Sequence, residues 1–468
     1  MLTYDLDKRG NKTMYEYLYE LIKEDIADGK LKADEKLPSK RGLSQHLQIS
    51  VKTVENAYEQ LLLEGYIRSE EKRGYYVNKI AVVTGGAPAY AAPVKRFQEE
   101  TYLADLTANN IQYDKFPFAT WAKVMRETLT DYNTSLLKTV PFNGVLQLRE
   151  AIADHLNRYR GMQVSADHII IGAGTEYLYN RLLQLLGPDA KFGVENPGYR
   201  KITKIYDENG VDWDYVNIDD KGMKVDELRK KGINVAHVSP EHHFPIGLVM
   251  PVARRQELLN WAAEEPGRYI IEDDFDCEFR MQGKPIPSMQ SRDRSHRVIY
   301  MNTFSKTMVP SLRIGYMVLP EKLMKKYIST MNFYSCTVSG FEQYAMAAFI
   351  EKGYFERHIK RLVNDYRGRR EKICRMFRES RLNDVSTIYQ DDAGTHFLLH
   401  VKTSLSDVEI KWAAGQKGIL INCLSEYCFA DAYKYHGILV IHYSDMDEAT
   451  LKLVIAAFEE IFCDGVSF

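Results

Sequence analysis

The chain has 468 residues and a mass of 54.1 kDa, which at about 100–200 residues per domain means two to four domains and excludes a lone small binding module. Apolar residues make up 45%, charged residues 27% and aromatic residues 12%, ordinary globular values that exclude disordered and fibrous classes. Lys plus Arg number 62 against 64 Asp plus Glu, a formal net charge of −2, so any polyanion site must be local.

The opening stretch MLTYDLDKRGNKTMYEY is too polar for a secretory signal, and no run of about 18 apolar residues occurs. The six cysteines (Cys277, Cys336, Cys374, Cys423, Cys428, Cys463) form no CxxC pair. The expectation is a cytoplasmic protein with reduced thiols and neither a disulfide framework nor a zinc ribbon.

In chain order, Met14–Ala27 sets Tyr15, Leu18, Tyr19, Ile22 and Ile26 on one helical face, with Thr13 as N-cap and Gly29 as a stop. Lys36-Leu-Pro-Ser-Lys-Arg41 leads into a short helix through Leu47, a turn at Gln48–Ser50 and a second helix from about Val51 to Glu64. After Gly65, Tyr66–Arg68 and Gly74–Val77 read as a hairpin around Glu70–Arg73. The pattern predicts a helix-turn-helix followed by a wing. Residues 1–80 hold 14 Lys/Arg and 14 Asp/Glu, yet 36–54 carries Lys36, Lys40, Arg41 and Lys52 and no acid. Charge alone leaves both a solvated face and a DNA-facing one open.

From Lys79 to Val94, KIAVVTGGAPAYAAPV collects Gly, Ala and Pro and loses helical periodicity, a linker signature. Beyond it, apolar runs at His168–Ile171, Lys191–Val194, Val235–Val238, Tyr269–Ile271, Val298–Met301 and Ile314–Val318 alternate with stretches long enough for helical crossovers. That alternation predicts a mostly parallel α/β sheet.

Four segments of this region carry chemistry. Ile171-Gly-Ala-Gly-Thr175 is a strand, a small-residue turn and a helix start, whose N–H groups and dipole suit a phosphate; alone it is a weak signal. Glu195-Asn-Pro-Gly-Tyr199 places an aromatic after a strand, and its bland reading is a packed tyrosine. Tyr269-Ile-Ile-Glu-Asp273-Asp274 puts acids at the carboxyl end of a buried strand, where α/β sheets hold ligands. Tyr300-Met-Asn-Thr303-Phe-Ser305-Lys306 follows another strand, with Arg313 seven residues on; a lone lysine is most often a surface residue. Together, in this order, they supply what pyridoxal 5′-phosphate needs: a lysine for its aldehyde, an acid for its pyridinium nitrogen, an aromatic for its ring and a helix start with hydroxyls and arginine for its phosphate.

The run LPSKRGLSQHLQISVKTVENAYEQLLLEGYI closely resembles the winged helix-turn-helix of GntR-type bacterial regulators. The wording TFSK…PSLRIGYMVLP, ENPGY, IEDD and FNGVLQLREAIADHLNRYRGM resembles the MocR/GabR subfamily, in which that domain is fused to a fold type I aminotransferase-like domain. The resemblance covers nearly the whole chain. It implies a winged helix-turn-helix at 1–78, a linker at 79–100 and a pyridoxal phosphate-binding α/β domain at 101–468 with a small α+β subdomain from about 345. It further implies a homodimer on operator DNA, nucleoid-associated in the cytoplasm, with the Val51–Glu64 helix in the major groove. Lys40 and the backbone-bracing Arg41 lie before that helix, while Ser50, Lys52, Thr53 and Asn56 reach phosphates or base edges, and Lys72 and Arg73 form the wing tip.

In the large domain the resemblance makes Lys306 the Schiff-base lysine and Asp273 the partner of the ring nitrogen, with Asp274 as its nearest competitor. Tyr199 stacks on the ring. Gly174, Thr175, Thr303, Ser305 and Arg313 lie on the phosphate side, Thr303 and Ser305 being inseparable from sequence. His243 lies toward the ring's 3-hydroxyl, or is simply a hydrogen-bonded loop histidine.

Three departures qualify this. Val51 stands where relatives often carry arginine, so base preference does not transfer. Phe275 replaces the usual tyrosine and cannot donate a hydrogen bond. No arginine follows Arg381, so the last strand, with Lys434, His436, His442 and Tyr443 nearby, lacks the fork that clamps a substrate carboxylate. The expectation is therefore a sensor of pyridoxal phosphate or of an amino compound, with at most weak transamination. The missing arginine favours the cofactor itself and thus regulation of vitamin B6 metabolism. The rival is a working aminotransferase carrying a DNA-binding domain.

Overall fold

The computed structural model describes residues 2–80, 102–107, 115–274, 276–280, 286–389, 394–444 and 446–464. Most of the linker segment and Phe275 lie outside them. The chain divides into two units, Met1–Glu99 and Glu100–Phe468.

In the first unit, α1 (Met14–Ala27) starts at a capping box formed by Thr13 and Glu16. Helix α2 (Lys40–Leu47) is capped by Ser39, and α3 (Val51–Leu63) by Ser50, whose Oγ accepts the Thr53 N–H at 3.0 Å. Gln48, left-handed at φ 55°, turns the chain between them. Strands β1 (Ile67–Glu70) and β2 (Gly74–Val77) pair antiparallel. Leu18, Ile22, Leu43, Val54, Tyr58 and Leu61 are fully buried among these elements, each such side chain contributing about 1.5–3 kcal/mol. Tyr58 also donates its hydroxyl to the Pro38 carbonyl at 2.9 Å, fixing the approach to α2.

The second unit begins with β3 (Ala104–Asp105), α4 (Phe118–Asp131), α5 (Leu146–Arg160), β4 (Ile169–Gly172), α6 (Thr175–Leu186), β5 (Lys191–Asn196) and α7 (Arg200–Glu208). It continues through β6 (Asp212–Asp219), β7 (Gly222–Met223), α8 (Val225–Lys230), β8 (Val235–Val238), α9 (Val252–Glu264), β9 (Tyr269–Asp273), β10 (Val298–Thr303) and β11 (Gly315–Val318). The main sheet has eight strands in the order β4-β11-β10-β9-β8-β5-β6-β7. Strands β10, β9, β8, β5 and β6 run parallel, and β11 is antiparallel to both its neighbours. Apolar side chains pack on both faces, which explains the continuous apolar runs of the parallel strands.

Helices α10 (Glu321–Met331), α11 (Gly340–Glu351) and α12 (Tyr354–Glu379) lead to β12 (Ser386–Tyr389), β13 (His396–Val401), α13 (Asp407–Gln416), β14 (Ile419–Leu420), β15 (Asn422–Cys423), β16 (Ile438–His442) and α14 (Glu448–Phe462). A second, antiparallel sheet runs β12-β13-β16-β15, while β14 pairs with β3. This smaller layer has its own core of Phe397, Leu399, Ile410, Leu439, Ile441 and Phe458. None of the six cysteines, all of them among the described residues, is joined in a disulfide. No helix among the described residues is long and apolar enough to cross a membrane.

Candidate functional site

The loops that follow β4, β5, β8, β9 and β10 all leave the same edge of the main sheet, the edge where parallel sheets bind ligands. Lys306 sits in the turn after β10. Phe304 and Met308 on either side are buried in the core, the Phe304 N–H bonds the Ile314 carbonyl at 2.9 Å, and His358 of α12 lies 2.9 Å from the Thr307 carbonyl. Lys306 is thus held on a rigid turn. Burial lowers its pKa, and nearby Lys201 works in the same sense, while Asp276 works against them. A lysine held this way reaches its unprotonated, nucleophilic form more easily.

Successive residues of a strand point to opposite faces, and this separates the two acids. Asp274 Oδ2 is 2.6 Å from Arg160 Nη2 and accepts the Tyr300 hydroxyl at 2.7 Å; Arg160 also pairs with Glu241 at 2.9 Å. Asp274 Oδ2 is therefore committed to a buried ion-pair network, and its Oδ1, like that of Asp273, has no hydrogen-bond partner. Asp273 Oδ2 accepts the Tyr179 hydroxyl at 2.6 Å, and its Oδ1 is buried without a hydrogen-bond partner. Behind it stands His237, 3.2 Å from Tyr179 Oη and 2.8 Å from Tyr206 Oη, with Nε2 3.6 Å from Asp273. This support belongs to none of the motifs that carry the chemistry. Its signal was a histidine inside a buried apolar strand, VAHV.

On the other side of the turn, Gly174 (φ 86°) precedes α6, and a Cβ added there would stand 2.7 Å from Arg313 Nη2. Arg313 reaches the helix start by adopting a left-handed conformation, φ 51°, and pairs with Glu176 at 2.6 Å. Glu176 also binds Lys201. Thr303 and Ser305 now separate: Thr303 Oγ1 lies 3.2 Å from the Ile314 carbonyl, 3.1 Å from the Ser305 N–H and 3.0 Å from Ser305 Oγ. Thr303 pins the turn. Ser305 is half-buried beside it, its hydroxyl shared with Thr303 Oγ1.

Tyr199 is about half exposed and meets the Phe244 ring edge-on at 5.7 Å. Its loop is strapped to the small subdomain, because the Gly198 N–H bonds the Tyr427 carbonyl at 3.0 Å and Arg200 bonds the Glu426 and Cys428 carbonyls at 2.9 and 2.6 Å. His243 is buried 3.6 Å from Glu195. Burial pushes its pKa down to about 4 and raises that of Glu195 to about 8. Of the last-strand group, His436 pairs with Asp407 at 3.2 Å and Lys434 with Asp431 at 2.5 Å, while Tyr443 donates to the Gly394 carbonyl at 2.7 Å. His442 is buried, and burial is the chief reason its pKa is pushed down to about 3.

These residues fit pyridoxal 5′-phosphate. The unpartnered Asp273 oxygen matches a protonated ring nitrogen, and the side-chain-free Gly174 leaves Arg313 beside the helix start for a phosphate. When bound, the cofactor supplies an electrophilic carbon for a lysine or for an incoming amine.

In the first unit, Ser50 and Thr53 are occupied with each other at 2.8 Å, a capping role. The acid-free run meets an acid from the next turn, since Glu55 lies 3.0 Å from both Lys40 and Lys52. Among the described residues Arg41 and Lys72 have no ion-pair partner and are exposed, and Arg73 lies 3.7 Å from Glu70. Lys72 is left-handed at φ 59°, at the tip of the hairpin. Asn56 is half-buried on α3.

The class I and II aminotransferase family matches residues 102–458, and the gntR family of bacterial regulatory proteins matches residues 14–77. YdeL of Bacillus subtilis (strain 168), described as an uncharacterized HTH-type transcriptional regulator, is 35% identical over 95% of this chain and 96% of its own. The probable rhizopine catabolism regulatory protein MocR of Rhizobium meliloti is 30% identical over 98% of this chain and 95% of its own. PdxR of Corynebacterium glutamicum, a pyridoxine biosynthesis transcriptional regulator, is 29% identical over 95% and 94%. In fold, the large unit resembles the multiple substrate aminotransferase of Thermococcus profundus, with a TM-score of 0.69 at 23% identity over 78% of this chain and 92% of that one. A GntR-type reading head joined to an aminotransferase fold, and matched end to end by regulators so built, shows that the chain belongs to the MocR-like GntR regulators, transcription factors that bind pyridoxal 5′-phosphate.

Proposed function

We propose that this regulator sets its affinity for operator DNA by what occupies the Lys306 site, and that it does so without efficient turnover. The observation that carries the proposal is a lysine on a rigid turn, its pKa lowered by burial, on the same sheet edge as Asp273, whose second oxygen has no hydrogen-bond partner, in a chain with no arginine after Arg381. The cofactor side is equipped; the carboxylate fork of an amino-acid substrate is not, and losing an orienting contact removes much of the proximity advantage.

In this reading Asp273 holds the ring nitrogen, Tyr199 covers the ring, and Gly174, Thr175, Ser305 and Arg313 take the phosphate. Thr303 positions Ser305. The Glu195–His243 pair adjusts the polar side of the pocket. Lys40, Arg41, Lys52, Lys72 and Arg73 meet DNA phosphates, Asn56 meets a base edge, and Ser50 and Thr53 present the start of α3. Large apolar side chains left exposed, Phe118 at 68%, Leu137 at 84% and Phe333 at 72%, support a homodimer in which a second copy covers them. The cofactor itself is the first candidate signal, in keeping with the name of the PdxR relative, and regulation of vitamin B6 metabolism follows from it. An amino compound is the second, since an amine is what reacts with the cofactor's electrophilic carbon.

The test is absorbance of the purified protein with pyridoxal phosphate, beside Lys306→Ala, followed by promoter-fragment binding with and without cofactor. A visible band confined to the wild type, together with a cofactor-dependent shift in DNA affinity, is the expected result. Rapid turnover of an amino donor with a keto acid would overturn the sensing role.

A further inference from the structure

The loop between β5 and α7 is bound by the small subdomain on both sides of Tyr199. Consecutive residues from Glu426 to Ala430, between β15 and β16, meet it with their backbone. The Gly198 N–H donates to the Tyr427 carbonyl at 3.0 Å. Arg200 donates from Nε to the Glu426 carbonyl at 2.9 Å and from Nη2 to the Cys428 carbonyl at 2.6 Å. Asn196, the last residue of β5, accepts the Phe429 N–H on Oδ1 at 2.7 Å and donates from Nδ2 to the Ala430 carbonyl at 3.4 Å. That amide also donates to Asn217 Oδ1 at 2.8 Å, which orients it.

Side chains repeat the contact. Phe429 lies edge-on to Trp213 at 5.3 Å and stacked with Tyr215 at 6.3 Å, with the Arg200 guanidinium 4.6 Å from its ring centre. Trp213 is fixed in turn by its Nε1–H on Asp207 at 2.7 Å. Tyr427 meets Phe244 edge-on at 5.2 Å, the same ring that Tyr199 meets at 5.7 Å. Tyr199 is itself about half exposed, so its ring is aimed mainly by the backbone on either side. The planar fork of Arg200 suits this work, because it spans two carbonyls while its face covers an aromatic ring.

We propose that Arg200 is a positioning residue for the cofactor ring: acting through the Glu426 and Cys428 carbonyls, it fixes the loop on the small subdomain and so sets the face that Tyr199 presents. The proposal rests on the reading of Tyr199 as the residue that covers the ring. A well-placed aromatic partner contributes about two- to twelvefold in affinity beyond the area it buries, and that share is lost when the partner is free to turn away. Linkage makes the effect reciprocal: a ligand that holds Tyr199 in place also holds residues 426–430 against the loop, by the same factor. Occupancy is thereby felt in the small subdomain as well as at Lys306.

The experiment titrates the full-length protein with pyridoxal phosphate. It reads the visible band, the circular dichroism of that band, which reports how asymmetrically the ring is held, and hydrogen exchange at 196–201 and 424–430. Arg200→Gln is expected to weaken affinity about two- to twelvefold and to lower the dichroism per unit absorbance. Tyr199→Ala should do the same, and the double variant should bind no more weakly than Tyr199→Ala alone, because Arg200 acts through Tyr199. Phe429→Ala, which removes the ring beneath the guanidinium, should reproduce Arg200→Gln. Arg200→Lys keeps the charge but cannot bond both carbonyls while lying flat on Phe429, and it too should behave as Arg200→Gln. In the wild type, loading should slow exchange in both segments, and in Arg200→Gln the slowing should vanish from 424–430. Wild-type affinity in Arg200→Gln, losses that add in the double variant, full rescue by lysine, or exchange at 424–430 indifferent to loading overturns the positioning role. Wild-type affinity in Tyr199→Ala overturns the reading of Tyr199 instead, and absence of any band in the wild type overturns that of Lys306.

Discussion

Glu55 is the residue through which the DNA-binding surface is best tested. Its two oxygens lie 3.0 Å from Lys40 and from Lys52, so the triad presents one net positive charge where the lysines alone would present two. Counterion release makes log K fall with log salt at about 0.9 per phosphate neutralised on duplex DNA. Glu55→Gln is therefore expected to steepen that slope by about 0.9, and Lys52→Gln to make it shallower by about the same. Between about 200 and 50 mM salt the advantage of Glu55→Gln over wild type should widen about three- to fourfold. Because this contribution is independent of sequence, fluorescence anisotropy on any mixed-sequence duplex measures it, with no operator required. Folding should be little affected, since Glu55 and Lys40 are only partly buried and Lys52 is exposed. Equal slopes for wild type and Glu55→Gln would refute the placement of Lys40 and Lys52 against phosphate.

Asp273→Asn keeps a bond to Tyr179 but loses the charge facing the ring nitrogen; cofactor affinity, read by spectral titration, should fall about ten- to a hundredfold. Asp274→Ala strands Arg160 in the interior with Glu241 as its remaining acid, and urea unfolding should show a loss of about 3–5 kcal/mol. Burial lifts the Glu195 carboxyl from 4.5 to about 8, so the folded chain keeps a proton that the unfolded chain releases near 4.5. The stability contributed by this group is complete below that pH and is lost as pH rises toward about 8. Glu195→Gln should therefore outlast wild type in urea near pH 8, with the difference closing toward pH 5.

Much of this was legible in the sequence because the signals were local. Thr13, Ser39 and Ser50 cap the three helices of the first unit in the structure, and the hairpin after Gly65 forms where aromatic and β-branched residues alternate. Each apolar run named in the large domain overlaps a strand. Strand β6 was missed, because DWDYVNID alternates acids with large residues at a sheet flank and never forms an apolar run. Lys306 stands out in the sequence by its motif, on a turn after a strand, and the structure has that turn after β10. The division between Asp273 and Asp274 was not legible, since it depends on which face of β9 meets Arg160. Nor was the meeting of Arg200 with the Glu426 and Cys428 carbonyls, which the packing of the two layers brings about and no spacing in the chain records. Glu55 was overlooked for a simpler reason: it lies one residue beyond the acid-free run, and a helix brings that residue back over it.

The Glu176–Arg313 pair bears on how such a protein survives changes in its own ligand supply. An arginine poised for phosphate would be a repelling charge beside Lys201 whenever phosphate is scarce, and that repulsion would loosen the start of α6. Glu176 accepts both cations, serving as a built-in counter-ion. If Arg313 takes the phosphate as proposed, loading exchanges one anionic partner for another. A protein made this way stays intact across the whole range of occupancy, and a reporter of concentration has to be stable at both ends of its scale.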